Sequence, residues 1–118
     1  MKYVDGFVVP VPKKNIKAYA RMAALGGKVW MDHGALEYRE CVGDDLDVKY
    51  GMPFSKGIKL KPGETVVFAW IVYKSRAHRD KVNAKVMKDP RMVSPPKDMP
   101  FDFKRMVWGG FKTLVDHS

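Results

Sequence analysis

Eight consecutive residues, Val66 to Tyr73 (VVFAWIVY), are apolar without a break. A strand sends successive side chains to opposite faces, so a run of this kind leaves neither face suited to water. Any sheet that contains it has to be covered on both sides. Directly after the run, Ser75 is a helix N-cap, and the helical pattern that follows ends at Asp89-Pro90. A two-faced strand running into a helix is therefore the fixed point around which the rest of the chain must pack.

Tyr3 to Val11 alternates as a strand, with Tyr3, Asp5, Phe7 and Val9 on one side and Val4, Gly6 and Val8 on the other. Pro10 and Pro12 end it. From Lys13 to Asp32 the period becomes helical: Ile16, Tyr19, Ala20, Ala23, Gly27 and Trp30 form a core-facing stripe, and Met22, Leu25 and Val29 a smaller patch. Gly26-Gly27 lies inside this helix at a cost of about 1 kcal/mol per glycine against alanine. Either a kink or a close neighbour is expected there. Ala35 to Val42 is a second strand, with Leu36, Tyr38, Glu40 and Val42 on one face. Residues 47–63 read as a loop with Phe54 pinned to the core, closed by a turn at Lys61–Glu64. The proline-bearing segment Met92 to Asp102 is irregular. Lys104 to Val115 is the last strand, whose Gly109-Gly110 predicts a bulge or a close backbone approach.

The order strand, helix, strand, strand, helix, strand with right-handed crossovers predicts an α+β, ferredoxin-like sandwich: a four-stranded antiparallel sheet with both helices on one face. At 118 residues it is a single domain. Two helices cover one face only, yet the third strand puts Val66, Phe68, Trp70 and Val72 on one face and Val67, Ala69, Ile71 and Tyr73 on the other, so one of these sets lacks cover. Leaving them wet forgoes about 1.5–3 kcal/mol each. A homodimer closed sheet against sheet through this open face is the simplest remedy.

The net charge of +9 raises nucleic acid as a partner. The charge is uneven: residues 74–91 hold seven basic and two acidic groups, residues 37–48 one basic and five acidic. Lys81, Lys85 and Lys88 line one side of the second helix, with His78 near them; a solvated basic face is the plainer reading and a nucleic-acid surface the alternative. Cys41 is the only cysteine, which excludes an intrachain disulfide and suits a reducing compartment. Asp5 stands where a signal peptide needs apolar residues, and no apolar run approaches membrane-spanning length, so a cytoplasmic protein without a membrane partner is expected.

No cofactor is expected, because His33, His78 and His117 share no ligand spacing and no phosphate-binding loop is present. His33 suits a helix C-terminus, with haem ligation or general-base chemistry as the sharper reading. Asp5 and Glu40 are candidate general bases if either faces a dry cavity. Arg79 and Asn83 fall within the apolar arc of the second helix, with Val82, Ala84, Val86 and Met87. There they either hold an anionic or carbonyl-bearing ligand or pair internally with Asp80, Asp5 or Glu40. Trp70 and Trp108, with Trp30, are either aromatic walls of a ligand pocket or core and interface residues, and Tyr38, on the strand face of Glu40, is a further candidate ligand contact.

The stretches YVDGFVVPVP, HGAL…EC…GDD from His33 to Asp45, ETVVFAWIVYKSRAHRDKVNAKVMKDPRM and MPFDFKRMVWGGF together resemble the DUF1428, YbaA-like family of the dimeric α/β-barrel superfamily. The resemblance implies a ferredoxin-like protomer and a dimer, and no catalytic mechanism. Other branches of that superfamily include cofactor-independent monooxygenases, a lactone isomerase and haem enzymes, which share a cavity between sheet and helices. Phe103 stands where the family's closing motif has a small residue. The expected function is binding of a small aromatic or carbonyl-bearing molecule in such a cavity, with monooxygenase- or isomerase-like activity open.

Overall fold

The computed structural model describes residues 1–93 and 98–118. Strands β1 (Tyr3–Pro12), β2 (Glu37–Val42), β3 (Glu64–Tyr73) and β4 (Val107–Lys112) form one antiparallel sheet in the order β2-β3-β1-β4. Helix α1 (Ile16–Asp32) connects β1 to β2, and α3 (Arg76–Lys88) follows β3; α2 (Phe54–Gly57) and α4 (Pro90–Val93) are single turns. The apolar run occupies β3, a central strand paired on both sides, where its length is best satisfied.

Val67, Ala69, Ile71 and Tyr73 of β3 are buried beneath α1 and α3, together with Val9 and Val11 of β1. Between the two helices, Val29 of α1 meets Val82 and Val86 of α3. This seam corrects the expected orientation of α1. Val29, read as part of a minor patch, is fully buried because it faces the neighbouring helix, whereas Ala20, read as core, is exposed. On α3, Arg79, Val82, Asn83 and Val86 turn inward as expected, but Ala84 and Met87 point to solvent. Ser75 caps α3 by accepting a hydrogen bond from the His78 amide at 3.0 Å.

The opposite face is partly bare. Phe68 is 46% exposed, Val107 57% and Phe111 61%. One corner is covered by the chain itself: Leu46 and Phe54 pack near Val66 and Phe68. Phe54 thus lies on the far face of the sheet, half-exposed, and not in the core, because α2 is held there by the loop leading to β3.

The register of β1 with β4 runs unbroken from Tyr3↔Lys112 to Val8↔Val107, so Gly109-Gly110 forms no bulge. Gly110 is instead crossed by other side chains. A Cβ there would lie within 2.5 Å of Arg79 Nη2 and closer still to the Tyr3 hydroxyl. The last strand is shorter than the expected 104–115, since Phe103–Arg105 makes a 3-10 turn before it. Phe103 is exposed and leans on Phe101, whose buried ring meets Tyr19 edge-on. Of the expected irregular stretch Met92 to Asp102, Met92 and Val93 end α4 and residues 94–97, with Pro95 and Pro96, lie outside the described residues.

Candidate functional site

A cleft of about 490 Å³ opens between α1 and the edge strand β2. Its helix wall is made of small and apolar side chains, among them Ile16, Ala20, Ala23, Ala24 and Met31, and its floor of Tyr38, Glu40, Val42 and Val67. The alternation of β2 turns Tyr38, Glu40 and Val42 toward the helix, while Glu37, Arg39 and Cys41 alternate away from them. Gly27 is what lets the helix come this close. A Cβ on it would sit 2.8 Å from the Tyr38 ring, which identifies the reason for the glycine pair as close packing rather than a kink.

Glu40 is the polar centre of the cleft. The Tyr19 hydroxyl donates to its Oε1 and the Tyr38 hydroxyl to its Oε2. Burial, followed by the hydrogen bond to Glu40 and its charge, raises the Tyr19 pKa, and burial followed by the Glu40 charge does the same for Tyr38. Both phenols keep their protons across the physiological range. Each ring is fixed at a second point: Tyr19 by Phe101, Tyr38 by Trp30 at 6.2 Å between centroids. Lys28 stands at the rim, largely exposed and 3.8 Å from Asp32.

Arg79, Asn83 and Asp5 meet elsewhere, in a polar cluster sealed between β1, β3 and α3. Asp5 is 1% exposed. Arg79 Nε faces Asp5 Oδ1 at 3.3 Å, off the line of a hydrogen bond, so neither atom has a hydrogen-bond partner among the described residues. The guanidinium also reaches Asp80 at 3.2 Å, donates to the Tyr3 hydroxyl at 3.1 Å and lies 5.0 Å from the Tyr3 ring centre. Trp30 Nε1 and the Tyr73 hydroxyl both donate to Asn83 Oδ1 at 3.0 Å. Burial raises the Asp5 pKa, and Arg79, Asn83 and Tyr73 pull it back. Of the two arrangements open for Arg79, the geometry has internal pairing with Asp5 and Asp80.

The other candidates are dispersed. His33 Nε2 lies 2.8 Å from Asp89, which Arg91 also clasps while reaching Asp32; the group ties the end of α1 to the α3–α4 junction. Trp70 is on the far face of the sheet, donating to Glu37 at 3.2 Å with Arg39 over its ring. Trp108 stacks on Phe7 at 5.9 Å and is 55% exposed. Lys81, Lys85 and Lys88 are exposed. Tyr19, a core position by its spacing, also serves the cleft, and its place on the Ile16–Ala20–Ala23–Gly27 side of the helix is the sequence signal for that. No three His, Cys, Asp or Glu side chains gather to hold a metal among the described residues, and no helix there is long and apolar enough to cross a membrane.

The comparisons with other proteins agree on one kinship. The profile of the family described as "Protein of unknown function (DUF1428)" matches residues 2–103. The protein called "Uncharacterized protein YbaA" of Escherichia coli K12 is 45% identical over 116 residues, 98% of this chain and 99% of its own length. The protein of that name from Shigella flexneri matches to the same extent. With its sheet, its cleft and this full-length similarity, the chain belongs to the DUF1428 family.

Proposed function

We propose that the protein is a cytoplasmic homodimer of ferredoxin-like protomers that binds a small aromatic molecule in the cleft between α1 and β2. The observation that carries the reading is the Glu40 carboxylate, held by two tyrosine hydroxyls on the floor of an otherwise apolar cleft. An apolar pocket with a few convergent polar groups is the usual form of a small-molecule site. Tyr38 and Glu40 contact the ligand in this reading, and Glu40 is also the group placed to accept a proton from it. Asp5, Arg79 and Asn83 hold α3 on the sheet. The dimer is supported by the exposed Phe68, Val107 and Phe111, and the ferredoxin-like protomer by the strand order β2-β3-β1-β4 with its two helical crossovers.

The test is a thermal-shift screen of one- and two-ring aromatics against the wild type and against Ala24→Trp, which fills the cleft from its helix wall. A compound that raises the melting temperature of the wild type and not of Ala24→Trp supports the reading. A rise that survives the substitution, or no rise with any compound, rejects it. The nucleic-acid alternative rests on Lys81, Lys85 and Lys88, which are exposed and form no ion pair with the described residues. It requires an RNA affinity that falls steeply with salt.

A further inference from the structure

The direction of the hydrogen bonds in the cleft restricts what it can recognise. A phenol has one hydrogen, and both Tyr19 and Tyr38 give theirs to Glu40. What remains free at the centre of the cleft is lone pairs: those left on the two carboxylate oxygens and those on the two phenol oxygens. The strong side-chain donor otherwise on the wall is Lys28, at the rim and 69% exposed. A ligand carbonyl brought to Glu40 would find oxygen facing oxygen. A ligand hydroxyl would find a charged acceptor that the tyrosines already hold in place, and hydrogen bonds to ionised acceptors are about twice as strong as neutral ones.

Resting on the cleft reading above, we infer that the site selects a neutral aromatic hydroxyl compound, whose O–H donates to Glu40, over the corresponding ketone or aldehyde. The expectation of a carbonyl-bearing ligand is narrowed accordingly. The apolar wall takes the ring, and the Glu40 oxygens take the hydroxyl. The hydroxyl gains a charge-assisted hydrogen bond, whereas the ketone sets another acceptor against the Glu40 oxygens and gains none, so the hydroxyl compound is preferred.

The probes are 2-naphthol, 2-acetylnaphthalene and naphthalene, titrated calorimetrically into the intact protein. The expected result is at least about ten-fold tighter binding of 2-naphthol than of either congener. Glu40→Gln, whose amide supplies donors, should reduce that ratio to about three-fold or reverse it. Should Glu40→Gln not fold, Tyr38→Phe serves: it frees a lone pair on Oε2, so the hydroxyl compound keeps its lead and the ketone gains nothing. Equal affinity for 2-naphthol and 2-acetylnaphthalene in the wild type overturns the inference and leaves the aromatic cleft standing. Absence of binding by all three removes the cleft reading and the inference with it.

Discussion

Replacing Gly27 by alanine sets two opposing effects against each other, and the structure decides the sign. In a helix interior the substitution is favourable by about 1 kcal/mol, through backbone entropy and helix propensity. Here the new methyl would lie 2.8 Å from Cδ1 and 3.0 Å from Cε1 of Tyr38, well inside ordinary contact. The ring cannot easily withdraw, since its hydroxyl is bonded to Glu40 and the ring also packs on Trp30. Overpacking of this kind costs about 1–3 kcal/mol. The expected net effect of Gly27→Ala is therefore from about zero to about 2 kcal/mol of destabilisation. In a Tyr38→Ala background the obstacle is gone, and the same change should stabilise by about 1 kcal/mol, roughly 4 °C in melting temperature. Urea denaturation of the four proteins, at one fixed protein concentration, measures the coupling directly. Equal stabilisation by Gly27→Ala in both backgrounds would show that Tyr38 does not press on α1, and the cleft floor described above would be wrong.

Three further outcomes follow from named contacts. Arg79→Met leaves the Asp5 carboxylate buried without its cation and should cost about 3 kcal/mol near neutral pH, somewhat less than a fully buried pair because Arg79 is 17% exposed. Asp5 already titrates above its ordinary value through burial, so its folded form is favoured when protonated and that advantage is lost as pH rises; the deficit of the variant should shrink as pH is lowered toward about 4, and a deficit independent of pH would exclude Asp5 as its source. Asp89 behaves oppositely. Hydrogen bonds from Arg91 and His33 hold its carboxyl well below the ordinary 3.8, so it stabilises the fold above that pH and the benefit fades as pH falls through the folded value. Wild type should outlast Asp89→Asn in urea at pH 7 and lose that lead in acid; an unchanged lead at low pH refutes the assignment. Phe111→Glu places a charge on the bare sheet face and should turn a dimer into a monomer by light scattering at micromolar concentration, while a persistent dimer would move the interface elsewhere.

The central strand was legible because eight apolar residues in a row have few other places to go in a small domain. The same holds for the Ser75 cap and for Arg79 and Asn83, whose spacing alone puts them on the inward side of α3. Gly110 was legible as a site of close approach, though not what approaches it. The roll of α1 was hidden, because apolar residues occupy more than one side of that helix and only the position of α3 decides that Val29 is innermost. The position of Phe54 was hidden for a related reason: its bulk asks for cover, and both faces of the sheet offer it. The Tyr19–Glu40–Tyr38 group lies 21 residues apart along the chain, and its assembly depends on how α1 crosses β2. Polar residues on a strand announce that they need partners, and the partners are chosen by packing.

The most direct test of the cleft is amide chemical-shift mapping of the labelled protein during titration with 2-naphthol. Saturable shifts should concentrate on residues 16–31 of α1 and 37–42 of β2, with the Glu40 amide among them. Shifts centred on the exposed sheet face around Phe68 and Phe111, or none that saturate, would contradict the account.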